Sequence, residues 1–408
     1  RRSRATANKP SHSASSPAIT NLWRIFTLGG VSSMLLSTRS PDLEKELHVS
    51  NGLYGTLVSA GTIGSIIALF VMGKLVPKFG VIRTLRVSSF TLCASIAAVP
   101  HIHMPVVFLF LGIITAGSYS AYHIAMHTQA FALQEKQTEL LLPRMHGGWS
   151  TGVLVSTTLT LFIGGDTTFA WEINSVMLLV WLVMQYEIRA LKSLLVKPSA
   201  APIPTEPLHP RDLLKIFSFQ RLCVLMFVFG VGVEQAAYDW SILLAHQEYR
   251  VRASVSALTF FAAVVGIIIG RRTFHRLTAI RSEKYWIRLG GLTGGGAFIV
   301  FTQGAHLISH SHRIIGFVML IAGFGIAGLG GSFAAPMAAT IANRRSGLPS
   351  SQVVAMLGLA TNTLMFLSRN LVSWVAQATS ISTALWIPGL FLIAFGFMNA
   401  LGSDQLTT

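Results

Sequence analysis

The sequence predicts an all-α membrane protein of 12 transmembrane helices in two pseudo-symmetric six-helix bundles, and three observations lead there. Hydrophobic residues make up 52% of the 408 and charged residues only 11%, with a mean hydropathy of +0.59. A water-solvated domain carries about 25% charged residues, so most of this surface must face lipid. Long stretches hold no charge at all, such as Leu47 to Gly73, Val87 to Gln134, Met145 to Gly165 and Leu289 to His312. Each is long enough for a helix that needs about 20 residues to cross the hydrocarbon. Finally, the bases gather at alternate ends of these stretches.

Taken in order, the spans fall at residues 22–39, 52–76, 83–100, 105–128, 146–165, 171–189, 217–245, 253–272, 287–308, 313–333, 350–376 and 382–402. The run from Val87 to Gln134 is too long for one span, and Pro100 and Pro105 bracket a turn that divides it. With the start of the chain in the cytoplasm, Lys and Arg lie overwhelmingly on the inner side. Only Arg39, Lys45, Arg250, Arg252 and Arg313 fall outside, and Arg369 falls within a span. That asymmetry predicts both termini cytoplasmic, in a bacterial inner membrane, and requires an even number of spans.

Residues 1–20 are rich in Arg and Ser without an acid and read as a solvated cytosolic tail. Residues 21–191 form the first bundle, 192–216 a cytosolic linker marked by Pro198, Pro202, Pro204, Pro207 and Pro210, 217–403 the second bundle, and 404–408 a short tail. Gly73-Lys74-Leu75 with Lys78, Arg83 and Arg86 after the second span is echoed by Gly270-Arg271-Arg272 with Arg276 and Arg281 after the eighth. Parallel repeats of this kind mark solute carriers.

Several function classes fall away. The net charge of +16 would suggest nucleic acid on a soluble chain, but here the bases sit at span ends and report membrane orientation. Cys93 and Cys223 lie in apolar runs, with neither disulfide nor zinc spacing, and no metal or cofactor is expected. Gly323-Phe324-Gly325-Ile326-Ala327-Gly328 matches a dinucleotide fingerprint without the strand it needs, so close helix packing is the better reading. Gly148-Trp149-Ser150-Thr151-Gly152 matches a nucleophile elbow but opens an apolar helix. An intramembrane serine hydrolase using Ser150, with His146 or His123 as base, stands as the alternative from another class. Histidines 101, 103, 306, 310 and 312 fall in two outer loops, where solvation is the simplest role and a metal or pH-sensing site the alternative.

Polar residues within spans carry the most information, because each costs several kcal/mol in lipid unless paired or facing water. Tyr119, Tyr122, His123, Met126 and His127 share one face of the fourth span; Glu234, Gln235, Tyr238 and Asp239 share one face of the seventh; Asn362, Phe366, Arg369, Asn370, Ser373 and Gln377 share one face of the eleventh. Two acids and a base on such faces argue for a water-filled pathway. By depth, Arg39 and Glu234 both approach the outer leaflet, so an ion pair of Arg39 with Glu234 or Asp239 is expected to close an outer gate.

With these motifs in place, the chain resembles a major facilitator superfamily transporter, and more narrowly the MosC-like branch related to fucose-permease-type sugar carriers. The matching pieces are Arg39-Ser40-Pro41-Asp42-Leu43, Met126-His127-Thr128-Gln129-Ala130, His146-Gly147-Gly148-Trp149-Ser150-Thr151-Gly152, Glu234 with Asp239-Trp240-Ser241, and Gly270-Arg271. The resemblance implies the major facilitator fold, a central site and alternating access for a small polyhydroxylated solute. The sequence departs from it where Pro77 replaces the usual acid after the second span, where His127 stands in place of Asn, and where Ser368-Arg369-Asn370 replaces Gly-Pro-Pro. The expectation is therefore a secondary carrier for a sugar- or polyol-like solute, with no enzyme activity. Tyr122, His123, His127, Trp149, Gln235, Trp240, Asn362 and Asn370 would line its site. Glu234 and Asp239 would couple protons, and Arg39 and Arg369 would gate. Efflux of amphipathic compounds through Met126, Phe260, Phe261 and Phe366 is the alternative.

Overall fold

A computed structural model describes residues 17–134, 141–164, 167–195, 210–309, 311–335, 337–338, 341–342 and 350–401, and all regular structure among them is helical. The chain runs through α1 (Pro17–Thr38), α2 (Ser40–Leu47), α3 (Asn51–Phe79), α4 (Val81–Ala98), a 3₁₀ turn (Val99–His101), α5 (Pro105–Gln134), α6 (Leu141–Ile163) and α7 (Phe169–Leu194). It continues through α8 (Pro210–Gln247), α9 (Ala253–Thr278), α10 (Glu283–Ile308), α11 (Arg313–Gly331), α12 (Ser350–Ala378), α13 (Ile381–Ala384) and α14 (Trp386–Leu401). We call the face where α1 begins proximal and the opposite face distal.

Local chemistry sets these boundaries. Ser50 caps α3 by accepting the Leu53 N–H, Thr168 caps α7 through Trp171, Ser282 caps α10 through Tyr285, and Ser380 caps α13 through Thr383. Gly80 alone joins α3 to α4 at φ +81°, a conformation that disfavours any side chain. The amphipathic helix α2 lies outside the expected spans, started by Pro41 and Asp42 in its first turn. Helix α8 already begins at Pro210, seven residues before the expected span. The expected tails and most of the linker, at residues 1–16, 196–209 and 402–408, lie outside the described residues, as do His310, Arg344 and Arg345.

Packing reveals the repeat. In the first half α1 packs on α6 and α7, α3 on α5, and α4 on α5 and α7; in the second, α8 packs on α12 and α14, α9 on α11, and α10 on α11 and α14. Advancing each helix of the first set by six spans generates the second. The halves meet where α3 packs on α12 and α6 on α9, a pairing that the same operation maps onto itself. Seven helical segments among the described residues are long and apolar enough to cross a membrane. Of the others, α1, α8 and α12 carry polar groups that later prove central: Asn21 and Arg24, Glu234 and Asp239, Arg369 and Asn370.

Both enzyme-like motifs are packing devices. A Cβ on Gly152 would clash with the Thr27 carbonyl, and one on Gly30 with the Trp149 carbonyl, so these glycines let α1 and α6 touch backbone to backbone. Gly328 meets the Ala263 carbonyl in the same way, bringing α11 onto α9.

Candidate functional site

On the first half, α5 presents Tyr119, His123 and His127 along one face and α6 brings His146 and Trp149 beside them. The His123 and His127 rings lie 3.9 Å apart, His127 and His146 5.3 Å, and Phe26 of α1 abuts His127 at 5.1 Å. His127 Nδ1 is 2.9 Å from the His123 carbonyl. A carbonyl only accepts, so Nδ1 carries the proton, and His127 turns its Nε2 to His146 Nε2 at 3.4 Å. The Tyr119 hydroxyl sits beside Trp149 and Ser33. Tyr122, in contrast, is fully buried and donates to the Ile25 carbonyl at 3.0 Å, which makes it a tie between α5 and α1 instead of a solute contact.

On the second half, α8 supplies two ion pairs. Asp239 receives a bidentate pair of bonds from Arg369 Nε and NH2 of α12, each 2.7 Å, with Gln235 Nε2 at 3.3 Å from both carboxylate oxygens. Glu234 accepts from the Tyr238 hydroxyl at 2.5 Å and from Arg271 of α9 at 3.0 and 3.3 Å, while Arg271 Nε donates to the Ser332 carbonyl at 3.0 Å. All four charged side chains keep some exposure, from 10% for Asp239 to 27% for Arg271. A pocket lined by Gly232, Gln235, Asp239, Trp240, Arg369 and Phe391 opens beside the first pair. Across the halves, Tyr238 lies within electrostatic reach of Tyr119, and Arg271 of His146.

The distal ends of the halves are clasped largely by uncharged groups. Asn370 Nδ2 donates to Ser59 Oγ at 2.8 Å and its Oδ1 accepts from Thr56 at 2.9 Å. Asn51 bonds Gln247 at 3.3 Å, the Gly52 N–H reaches Gln377 at 3.4 Å, and Tyr54 meets Trp240 edge-on at 6.2 Å. Among the described residues, the hydrogen bonds between the halves gather in this stretch of α3 and at the neighbouring α2, where Glu44 accepts from Gln247. The amide of Asn370, expected to bind solute, is thus engaged in closing the distal side, and Trp240 contributes to both clasp and pocket. Asn362 bonds its own helix at the Gly358 carbonyl and stays half-buried.

Arg39 corrects the expected gate. It pairs with Glu172 of α7 and, at 2.6 Å, with Asp42, inside the first half and not with Glu234 or Asp239. The reason is local: α7 packs on α1, and Glu172 in its first turn lies against the end of α1, whereas Glu234 and Asp239 are already held by Arg271 and Arg369. Thr160 and Thr167 donate to Glu172, Thr160 meets Thr38 at 2.7 Å, and Phe169 lies 5.6 Å beneath the guanidinium. A second lock at the proximal end joins Glu187 to Asn21 Nδ2 at 2.5 Å and to Arg24 at 3.2 Å. Glu172 and Glu187 were missed because both lie near the ends of the sixth span, where acids are commonly solvated; the matching polar positions on α1 were the available signal. At the distal ends of the helices, His101 bonds Asn174, His103 pairs with Glu46, and His306, in the last turn of α10, with Glu248. Phe260 is fully buried, its ring edge-on to Tyr238 at 5.4 Å.

Two repeated helix bundles holding ion pairs and imidazoles between them, in an otherwise apolar chain, define a multi-pass membrane carrier. The chain belongs to the Major Facilitator Superfamily, whose family model matches residues 24–327. It is 21% identical over 374 residues to an uncharacterized MFS-type transporter of Yersinia pestis, covering 90% of this chain and 91% of the relative. It is 22% identical over 381 residues to the uncharacterized transporter y4wD of Sinorhizobium fredii, covering 90% and 93%. The fold is similar to that of a nucleoside transporter, NupG, in a point-mutant form (TM-score 0.71, 12% identity, 94% of this chain and 99% of that one). It is similar also to a D-xylose-proton symporter (TM-score 0.70, 14% identity, 93% and 96%). Membership of a transporter family leaves Ser150 no nucleophilic role; its side chain is buried in α6.

Proposed function

We propose that this protein is a secondary carrier of the MosC-like, fucose-permease-related branch, moving a small sugar- or polyol-like solute across a bacterial inner membrane at the expense of a proton gradient, with both termini cytoplasmic. One observation carries the reading: of the two ion pairs on α8, Glu234–Arg271 lies within electrostatic reach of the imidazole cluster on α5 and α6, and the distal side above them is held shut by breakable hydrogen bonds between mostly neutral groups. His123, His127, Trp149, Gln235 and Asn362 supply donors, acceptors and a ring face suited to hydroxyls. Asp239 and Glu234 hold Arg369 and Arg271 only while ionised, so a proton arriving on either carboxyl releases a guanidinium and loosens α8 from α12 or α9. A pentose and nucleosides, the solutes for which the fold neighbours are named, belong to the same polyhydroxylated class.

The test is uptake into proteoliposomes carrying an imposed pH gradient, across a panel of sugars, inositols and nucleosides. The reading expects one polyhydroxylated class to accumulate, with Asp239→Asn or Glu234→Gln abolishing its dependence on the gradient. Accumulation of lipophilic cations alone would overturn it in favour of efflux, and gradient-driven uptake unchanged in both variants would remove the acids from coupling.

A further inference from the structure

Helices α3 and α4 are joined by Gly80 alone, yet they make few contacts with one another; each leans instead on α5. The cause is the close approach of α3 to α5, where a Cβ on Gly64 would clash with the Ile113 carbonyl and one on Gly117 would lie 3.2 Å from the Gly64 carbonyl. This leaves a groove of about 700 Å³ in the proximal half of the first bundle, floored by α5 and walled by α3 and α4. Walls and floor expose large apolar side chains, with Ile67 of α3 53%, Val87 of α4 64% and Ile114 of α5 52% accessible. Such a surface suits a hydrocarbon chain.

The mouth of the groove has a different chemistry. Arg83 and Arg86 line it, both exposed, in the first two turns of α4. That helix has no acid in its first turn and no side-chain cap, so its leading N–H groups and dipole add to the positive potential. Among the described residues neither arginine is in an ion pair, and position 77, shortly before the turn, is Pro, not an acid. Two guanidiniums without an acidic partner stand directly above an apolar cleft.

We propose that this groove is a binding site for one anionic phospholipid, its phosphate held by Arg83 and Arg86 and an acyl chain lying between α3 and α4 against Ile67, Val87 and Ile114. The lipid would brace two helices that the sequence leaves splayed, and would supply the negative charge that Pro77 does not. A free phosphate would use the arginines alone and leave the apolar walls unoccupied, so the lipid is the occupant that satisfies both ends.

The test is native mass spectrometry of the delipidated, purified carrier titrated with phosphatidylglycerol or with phosphatidylcholine of the same chain length. A basic residue at the surface is worth about fivefold in binding an anionic headgroup, so the wild type should hold one phosphatidylglycerol at least about tenfold more tightly than phosphatidylcholine. Arg83→Gln with Arg86→Gln should bring the two lipids to parity, and Val87→Glu, which keeps both arginines, should weaken phosphatidylglycerol as well. Arg250→Gln with Arg252→Gln on the distal side should change nothing. Equal binding of both lipids by the wild type, a preference that survives the double substitution in protein with an unchanged thermal transition, or competition by inorganic phosphate as effective as by the lipid would each overturn the proposal.

Discussion

The distal clasp gives the sharpest quantitative expectation. Asn370→Ala removes two hydrogen bonds that join the halves, to Thr56 at 2.9 Å and to Ser59 at 2.8 Å. Each is worth about 0.5–1.5 kcal/mol net. Neither hydroxyl is orphaned by the change, since the single Thr56 proton, shared between Asn370 and the Gly52 carbonyl, passes wholly to Gly52, and Ser59 still donates to the Thr56 carbonyl. The loss should therefore stay near the lower end, about 1–2 kcal/mol for the pair, and fall almost wholly on the distally closed state. An equilibrium shift of that size changes the closed-to-open ratio by about 5- to 30-fold. Ser373 reports it well, because its side chain is fully buried against Gly55 at the interface between α12 and α3. In a background lacking Cys93 and Cys223, a Ser373→Cys thiol should react with a maleimide only when the clasp opens, at a rate set by the open population. Asn370→Ala should raise that rate about 5- to 30-fold, while Thr363→Ala, whose hydroxyl bonds only its own helix, should leave it alone. An unchanged labelling rate with lost solute binding would refute the clasp and return Asn370 to the solute site.

Three further outcomes follow from the same geometry. Removing one partner of the Asp239–Arg369 pair leaves a charge uncompensated at a cost of order 3 kcal/mol, so Asp239→Asn and Arg369→Gln should each lower the thermal transition more than the double substitution does, and additive losses would deny the coupling. Glu172→Gln removes one of the two carboxylates on Arg39 and leaves Asp42, so it should destabilise the first half by about 1.5–3 kcal/mol, and Arg39→Glu should gain no rescue from Glu234→Arg; rescue in a transport assay would restore the pairing that the structure replaces. Gly152→Leu drives a side chain into the Thr27 backbone and should prevent folded expression, whereas Ser150→Ala in the same motif should be close to neutral for transport, an outcome that a catalytic Ser150 would not give.

The spans, their number and the division into halves were legible because lipid imposes one rule on every turn of helix: apolar outside, backbone bonded within. The polar faces of α5, α8 and α12 were legible for the same reason. Partner choice was not. Arg39 and Glu234 occupy similar depths in equivalent helices, and depth alone cannot tell whether a side chain turns across the interface or back into its own bundle; that depends on whether α7 delivers an acid first, and Glu172 does. Asn370 was equally ambiguous, since an amide that binds a hydroxylated solute and one that bonds Thr56 and Ser59 have the same chemistry. Tyr122 shares a stripe with His123 and His127, yet a helix face spans enough arc that its edge packs on α1 while its centre faces the gap.

The distribution of ion pairs then separates what must stay fixed from what can move. In the first half, Glu172 is fully buried and Arg39 nearly so, and Glu187 is buried under Asn21 and Arg24. Glu172 is out of reach of water and would keep only two threonine hydroxyls without Arg39, so that pair is costly to open, and Glu187 adds a second tie between α1 and α7 at the proximal end. In the second half, the side chains of Glu234–Arg271 and Asp239–Arg369 keep some exposure, so water or a solute hydroxyl can take over as either partner leaves. The pairs that can be exchanged cheaply are those on α8, and they link it to α9 on one side and α12 on the other, the two helices of the second half that pack most extensively on the first. A proton or solute acting there alters how α9 and α12 are held against α6 and α3, which is the motion needed to undo the distal clasp, and the first half can serve as the rigid body against which it happens.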